Sequence, residues 1–309
     1  MPKVLSIDDL QILWNRPEIF FLNSKEMPPF VDVHGHLKRI KVLVDPDGQG
    51  RPLNILLNGP QGTGKSLLAA ALTLELEKDV GHAVPMITVE CHQDKLDIQL
   101  TGHTMAVGNE MPFKPGPFPL AIQFANECGV CVMVAEEINS LTPGAQKMFN
   151  KMTDWRRGLA IDEIGRIDLR PGCHVIILAT MNPIGYGGVY NLNDDLRSRF
   201  AQIKVPWPTP VQEKKILKAV APFADTNLID QMIALAAESR SQAIEGNIST
   251  RDIEQVLTAW YRLKAAGDDT EFALEMAANA FEGTSLTTML DKIDDTFATQ
   301  LRKKLEGDA

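Results

Sequence analysis

A complete phosphate-loop pattern occupies residues 59–66, where the chain reads Gly-Pro-Gln-Gly-Thr-Gly-Lys-Ser. The apolar run at residues 53–58 precedes it and is typical of a buried strand, whereas the run at 67–76 is typical of a helix. A strand, a glycine-rich loop and a helix in this order direct backbone N–H groups and a helix N-terminus at phosphate oxygens. The pattern therefore predicts an α/β fold built around a bound phosphate group.

The loop residues have separate expected roles. The residues expected to contact the nucleotide are Gly59, Pro60, Gln61, Gly62, Thr63, Gly64, Lys65, Ser66 and Leu67. We expect the Lys65 ammonium to reach the β- and γ-phosphates, and the Ser66 hydroxyl to bind Mg²⁺. ATP and Mg²⁺ are therefore the predicted ligands.

Apolar strand-like runs alternate with helical runs over residues 53–205, which indicates a parallel sheet covered by helices on both faces. The strand candidates are Leu53–Leu57, Pro85–Val89, Val130–Ala135, His174–Thr180 and Ala201–Val205. The prolines of residues 206–210 interrupt this alternation, because proline continues neither a helix nor a central strand. After them the pattern is helical, over Val211–Val220, Asn227–Ser239, Thr250–Ala266, Thr270–Phe281 and Thr284–Leu305.

This pattern predicts three parts of the chain. Residues 1–30 are expected to form an N-terminal extension or a short adaptor helix. Residues 31–207 form the α/β nucleotide-binding core and begin with a helix within Val31–Val44. Residues 208–309 form a smaller all-α lid.

Acidic residues follow the apolar run 130–135, where the chain reads Glu136-Glu137-Ile-Asn. The carboxyl ends of parallel strands meet at one edge of a sheet, so both carboxylates are expected beside the phosphate loop. One carboxylate, Glu136, would hold Mg²⁺ through water, and the next, Glu137, would activate the attacking water. A solvated acidic turn after a core strand is the alternative interpretation.

Three more polar residues complete the candidate site. Asn182 follows the buried run 174–181 and is expected to bind the γ-phosphate or the attacking water. Arg199 lies near the end of a short predicted helix and, with Arg197 as its neighbour, is suited to stabilise phosphoryl charge from an adjacent subunit. Arg251 lies at the start of a lid helix that Ser249 or Thr250 is placed to cap.

Composition indicates a cytoplasmic protein. The first residues lack the apolar core of a signal peptide, and no apolar stretch is long enough to span a bilayer. Four cysteines are too few for a disulfide scaffold, and the pair Cys128 and Cys131 is expected to be structural. The net charge of −9 argues against a large duplex-DNA footprint, which needs clustered lysine and arginine.

Residues 31–265 resemble the AAA+ ATPases, and within them the MoxR branch with its NorQ/CbbQ-type members, which activate metalloenzymes. In that family's terms, residues 59–66 correspond to Walker A and Glu136-Glu137-Ile-Asn to Walker B. The resemblance further assigns Asn182 to sensor 1, Arg199 to the arginine finger and Arg251 to sensor 2. It also implies a pore-lining insert at residues 101–117 and a hairpin at Gly158–Leu169.

The resemblance implies an ATP-hydrolysing ring, expected to be a hexamer, that remodels a protein client recruited through a partner with a von Willebrand A-type domain. One position departs from the family, which usually has Asp where this chain has Glu136. The change suggests slow turnover, while Glu137 retains the position of the catalytic base.

Two other functions stay open on the sequence. One is a nucleic-acid-processing motor similar to the McrB-type GTPases, although residues 101–117 supply only Lys114 and Phe113 to a basic aromatic pore. The other is a scaffold that assembles on ATP and hardly hydrolyses it, which the change at Glu136 permits.

Overall fold

The computed structural model describes residues 19–22, 25, 27–46, 51–154, 156–183, 190–241 and 247–267. The chain forms two compact units, the first comprising Met1–Met27, Gly35–Pro60 and Gly64–Pro206, and the second comprising Pro28–His34, Gln61–Thr63 and Trp207–Ala309. Two short segments, 28–34 and 61–63, thus group with the helical unit and differ from the predicted division. The predicted helices Thr270–Phe281 and Thr284–Leu305 lie outside the described residues.

The strands within the described residues are numbered in chain order. They are β1 (Ile19–Phe21), β2 (Asn54–Asn58), β3 (Pro85–Glu90), β4 (Gly102–Thr104), β5 (Phe113–Pro115), β6 (Val130–Glu136), β7 (Gly158–Ile161), β8 (Gly165–Asp168), β9 (His174–Met181) and β10 (Phe200–Lys204). The helices are α1 (His36–Leu43), α2 (Lys65–Val80), α3 (Asp97–Thr101), α4 (Pro117–Cys128), α5 (Pro143–Thr153), α6 (Asp194–Arg197), α7 (Pro210–Val220), α8 (Thr226–Ser241) and α9 (Thr250–Ala266).

The main sheet has the strand order β1-β3-β6-β9-β2-β10. The five strands from β3 to β10 are parallel and match the five predicted strands, so the predicted α/β core is confirmed. Every residue of β6 from Val130 to Ala135 is buried, as expected for a parallel strand covered on both faces. The carboxyl ends of β2, β6 and β9 therefore lie at the same edge of the sheet.

A short strand, β1, lies within residues 1–30, where the sequence predicted an N-terminal extension or a short adaptor helix. Residues 19–21 do not form a helix but pair antiparallel with β3, with Ile19 opposite Ile87 and Phe21 opposite Pro85. A three-residue strand is too short to show a period in sequence, and its position is set by backbone pairing with a distant edge.

Two small antiparallel hairpins accompany the main sheet. In the predicted insert, β4 pairs with β5, and the Phe113 side chain is fully buried. In the second, β7 pairs with β8 from Gly158 opposite Asp168, as the hairpin prediction implied. The acidic residues Asp162 and Glu163 lie exposed in the turn between these strands.

The second unit is helical in its described part, which confirms the predicted all-α region that follows the core. Helices α7, α8 and α9 bury a separate apolar cluster that includes Leu217, Ile233 and Leu257. Such a core stabilises the unit independently of the sheet. None of the helices among the described residues is both long enough and apolar enough to cross a membrane.

Candidate nucleotide-binding site

The phosphate loop connects β2 to α2 and depends on glycine at three positions. The φ angles of Gly62 and Gly64 are 76° and 83°, in the left-handed region that disfavours side chains. Gly59 is required for space, because a Cβ there would lie 2.0 Å from the carbonyl oxygen of Val205. The loop is therefore a compact backbone turn that ends where α2 begins.

Lys65 is the first residue of α2, and its side chain is buried. Its Nζ donates to the carbonyl oxygens of Gly59 and Pro60, both at 2.7 Å, and to Asn182 Oδ1 at 3.1 Å. The ammonium thus lies inside the curl of the loop, at the carboxyl edge of the sheet. A cation enclosed by a glycine-rich backbone turn is suited to bind phosphate oxygens.

Glu137 and Asn182 meet at the same edge. Asn182 Nδ2 donates to Glu137 Oε1 at 3.1 Å, so one amide side chain joins the Lys65 ammonium to the Glu137 carboxylate. Asn182 is fixed in turn by Asn139, whose Nδ2 donates to the Asn182 carbonyl oxygen at 2.9 Å. The residues predicted from two separate strand ends are therefore brought together.

The backbone of Glu137 adopts a left-handed conformation, with φ 54° and ψ 47°. A non-glycine residue in this region is uncommon and concentrates at functional sites. The Glu137 N–H donates to Thr180 Oγ1 at 3.0 Å, which holds the turn in place. The strained turn directs the Glu137 side chain away from the line of β6 and towards Asn182.

Glu136 is the last residue of β6 and lies opposite Glu90 in β3. Burial raises the pKa of the nearby Cys91 thiol to about 12, and the carboxylates of Glu136 and Glu137 add to this effect. No group of three or more His, Cys, Asp or Glu side chains suited to hold a metal occurs in the described part of the chain. Ser66 and Glu136 remain the predicted ligands of Mg²⁺, an ion that proteins usually hold through one or two oxygens together with phosphates and water.

Arg199 lies at the amino ends of the parallel strands, whereas the phosphate loop lies at their carboxyl ends. It directly precedes β10, whose first residue Phe200 is paired with Asn54 at the start of β2, whereas the loop follows Asn58 at the end of β2. Five residues of parallel strand span roughly 13–17 Å. The Arg199 carbonyl oxygen accepts from Asn54 Nδ2 at 2.9 Å, which fixes the backbone at this far edge.

Arg251 is the second residue of α9 in the helical unit and is exposed. Of the two caps considered from the sequence, Ser249 is the cap: its Oγ accepts from the Asp252 N–H at 3.2 Å, and Asp252 Oδ2 accepts from the Ser249 N–H at 2.8 Å. Thr250 instead donates its hydroxyl to Glu213 at 2.7 Å. The role of Arg251 stays a prediction.

The cysteines have the properties of structural residues. Burial raises the pKa of Cys128, with Glu127 adding to the effect, and burial raises the pKa of Cys131 further. Thiols with raised pKa values remain protonated at neutral pH and are poor nucleophiles and metal ligands.

Sequence reasoning missed the residues that support the site, namely Thr180, Asn139 and Asn54. Thr180 and Asn54 had a detectable signal, because each is a polar residue in a strand that is otherwise buried. Asn139 lies within the acidic motif Glu136-Glu137-Ile-Asn, but the sequence could not show that it binds Asn182, which is 43 residues away.

Comparison with known proteins finds a matching family, similar sequences and a similar fold. The AAA domain (dynein-related subfamily) matches residues 54–200. The uncharacterized protein YojN of Bacillus subtilis is 29% identical over 201 residues, covering 63% of this chain and 62% of YojN. Protein NorQ of Paracoccus denitrificans is 29% identical over 204 residues, covering 64% of this chain and 70% of NorQ.

A solved structure shares the fold. The Orc1 protein of Aeropyrum pernix, in its complex with DNA, superposes with a TM-score of 0.55 at 19% identity and covers 82% of this chain and 67% of that chain. At this identity the likeness concerns the fold alone. From the matched domain, the relatives and the P-loop architecture together, the chain belongs to the AAA+ ATPases, in the MoxR branch with NorQ.

Proposed function

We propose that the protein binds ATP with Mg²⁺ at residues 59–67, hydrolyses it, and uses the cycle to remodel or activate a protein client. The observation that carries the proposal is the hydrogen-bonded series Lys65–Asn182–Glu137 at the carboxyl edge of the sheet. It joins a cation suited to phosphate, an amide suited to orient water and a carboxylate suited to accept a proton.

Binding begins in the loop. The Lys65 ammonium exchanges the carbonyl oxygens of Gly59 and Pro60 for phosphate oxygens, which are stronger, charged acceptors. The loop N–H groups and the start of α2 add further donors. Ser66 and Glu136 would hold Mg²⁺, which supplies neutralisation of the charge on the β- and γ-phosphates when bound.

Hydrolysis requires a positioned base. The Glu137 carboxylate accepts a proton from the attacking water, and Asn182 orients that water beside it. Thr180 keeps the Glu137 backbone in its left-handed turn, so the carboxylate does not have to reorganise before the reaction.

Arg199 supports assembly into a ring. Because it lies at the far edge of its own sheet, it is better placed to meet the nucleotide of a neighbouring subunit than its own. The neighbour's phosphate loop would then be completed in trans, and Arg251 would neutralise further charge from the lid. A closed ring, with six subunits as the expectation, repeats this contact at every boundary.

The test of this function is Glu137→Gln. We expect ATP binding to be retained and turnover to be lost, since an amide cannot accept the proton. Lys65→Ala should lose ATP binding itself. The matched control is Glu163→Gln in the exposed β7–β8 turn, which should behave as wild type; rapid hydrolysis by Glu137→Gln would contradict the assignment of the base.

The client is expected to be a protein. The resemblance to NorQ-type proteins implies that the client is a metalloenzyme or its complex, reached through a partner with a von Willebrand A-type domain. The fully buried Phe113 is not available to stack on a base, which weighs against the motor on nucleic acid. Glu137→Gln, which should trap the ATP-bound state, can be used to capture the client from the native host, and its hydrolysis rate beside wild type also tests the scaffold alternative.

A further inference from the structure

Arg199 is held through both its backbone and its side chain. Asn54 Nδ2 donates to the carbonyl oxygens of Thr153, at 3.1 Å, and Arg199, at 2.9 Å, and so joins the end of α5 to the Arg199 backbone. Asp154, the residue directly after α5, accepts a hydrogen bond from Arg199 Nη1 at 3.2 Å through its Oδ2. The backbone of Arg199 is therefore fixed by Asn54, and its side chain by Asp154 at the end of α5.

Arg157 sets the orientation of Asn54. Its Nη2 donates to Asn54 Oδ1 at 2.7 Å and its Nη1 donates to the Val175 carbonyl oxygen at 2.9 Å. Burial lowers the pKa of Arg157 to about 10, with Arg51 adding to the effect, so the guanidinium remains charged at neutral pH. Because Asn54 Oδ1 accepts from this cation, its Nδ2 must face Thr153 and Arg199.

Asp154 is held by a second arginine. Its Oδ1 accepts from the Arg156 N–H at 3.1 Å and from Arg156 Nε at 2.9 Å. These bonds, with a smaller effect of Arg199, hold the pKa of Asp154 at about 2, so its carboxylate is charged throughout the physiological range. The orientation of the carboxylate is thus determined before it meets Arg199.

The Arg199 guanidinium itself is only partly satisfied. Its side chain is 33% exposed, and its buried Nε has no hydrogen-bond partner among the residues described. A buried N–H without a partner is costly, and an oxyanion is the acceptor it prefers. The guanidinium is thus held by one carboxylate, and its exposed part remains open to an incoming anion.

We propose that Asp154 is a positioning residue that sets the Arg199 guanidinium in the pose that meets the phosphate of the next subunit's nucleotide. The inference rests on the proposed function of Arg199 in trans. A flexible arginine loses rotamer freedom when it binds, and prior ordering by Asp154 removes that loss from the reaction. An alternative role, in which Asp154 sequesters Arg199, predicts the opposite sign when the carboxylate is removed.

The experiment compares the turnover of Asp154→Ala, Arg199→Ala and the double variant in the full-length protein. We expect Asp154→Ala to lower kcat about 10- to 100-fold, the size of effect that small misplacements of a reacting group produce, with KM for ATP changed less than about twofold. Asp154→Glu should recover part of the loss. Asp168→Ala is the matched control, because Asp168 pairs with Arg166 at 2.6 Å on the exposed face of β8.

Epistasis separates positioning from damage to the fold. In the Arg199→Ala background, Asp154→Ala should produce no further loss, because the arginine that it positions is absent. Mixing Asp154→Ala with Lys65→Ala subunits should also restore turnover, since the Lys65→Ala subunit supplies an intact Asp154 and Arg199 to its neighbour.

The outcomes distinguish the two proposals. Wild-type turnover of Arg199→Ala would overturn its proposed function and this inference with it. A slow Arg199→Ala beside an unchanged or faster Asp154→Ala would overturn the inference alone. A further loss in the double variant would also overturn it, by showing that Asp154 acts through another group.

Discussion

The two units each contain an arginine–carboxylate pair, and the pairs differ in how completely they are enclosed. In the helical unit, Arg240 Nη2 and Nη1 donate to both oxygens of Glu213 at 2.8 and 2.9 Å, and its Nε donates to the Ile248 carbonyl oxygen at 2.9 Å. The guanidinium also stacks 4.4 Å from the Trp207 ring, and Thr250 donates to the same carboxylate at 2.7 Å. The side chains of Arg240 and Glu213 are 10% and 1% exposed.

The pair of Arg199 with Asp154 in the α/β unit is open by contrast. One hydrogen bond of 3.2 Å joins Arg199 to Asp154, a third of the arginine side chain is exposed, and Arg199 Nε has no partner among the described residues. The closed pair stabilises its own unit, because all three guanidinium nitrogens of Arg240 donate hydrogen bonds within that unit. An open pair retains donors for a ligand from outside. This difference separates Arg240, which stabilises its own unit, from Arg199, which we propose binds the phosphate of a neighbouring subunit's nucleotide.

The largest expected effect is on turnover at the open pair. Arg199→Ala should lower the ATP turnover number by about 10³-fold or more, the usual contribution of an arginine finger. Affinity for nucleotide, measured by calorimetry, should change little because the phosphate loop is intact. Arg197→Ala, which changes the exposed neighbour, is the control; if it is the slower variant, Arg197 is the finger instead.

Next in size is the loss of stability at the closed pair. Glu213→Ala should lower the free energy of unfolding by about 3–5 kcal/mol, because it leaves the Arg240 charge buried without its partner. Chemical denaturation followed by circular dichroism measures the change. A loss below about 1 kcal/mol would mean that water reaches Arg240, and the contrast between the two pairs would disappear.

A smaller loss of stability tests whether Thr250 belongs to the network around the Arg240–Glu213 pair. Thr250→Val removes the hydroxyl that donates to Glu213 and should cost about 1 kcal/mol, the usual net value of one hydrogen bond, with more if the carboxylate is left short of donors. Thr226→Val at the first residue of α8 serves as a comparison, being outside this network. An equal loss of unfolding free energy in both variants would mean that the Thr250 hydroxyl does not stabilise the Arg240–Glu213 pair.

The smallest expected effect is on stability at the open pair. Asp154→Ala should change the free energy of unfolding by only about 0–1 kcal/mol, as for other partly exposed ion pairs. Since hydrogen bonds from Arg156, and then Arg199, depress the pKa of Asp154 to about 2, any stabilisation is present above the unfolded pKa and is lost as the pH falls towards 2. Denaturation at pH 7 and at pH 3 should therefore show a difference from wild type that shrinks in acid; a loss at pH 7 comparable to that of Glu213→Ala would contradict the contrast.

The parts predictable from sequence follow from one geometric rule. Parallel strands end at a common edge, so Glu137 and Asn182, which directly follow two strands, were expected to lie beside Lys65 of the phosphate loop, and the structure brings the three together. The five parallel strands were equally predictable from the sequence, because their apolar runs are long and are separated by turns.

The remainder depends on contacts between distant residues. The bond from Arg199 to Asp154 crosses 45 residues of chain and that from Arg157 to Asn54 crosses 103, and neither leaves a local pattern. The left-handed turn at Glu137 is likewise set by Thr180 on another strand rather than by its own propensity. Strand β1 escaped prediction for the same reason.

Mixing two inactive variants shows whether the arginine of a neighbouring subunit completes the active site. Arg199→Ala retains the phosphate loop and Lys65→Ala retains the arginine, so a mixed ring contains boundaries with both. With subunit exchange confirmed by native mass spectrometry, we expect ATP hydrolysis well above the sum of the two separate variants. Hydrolysis no higher than that sum in exchanged rings would contradict it.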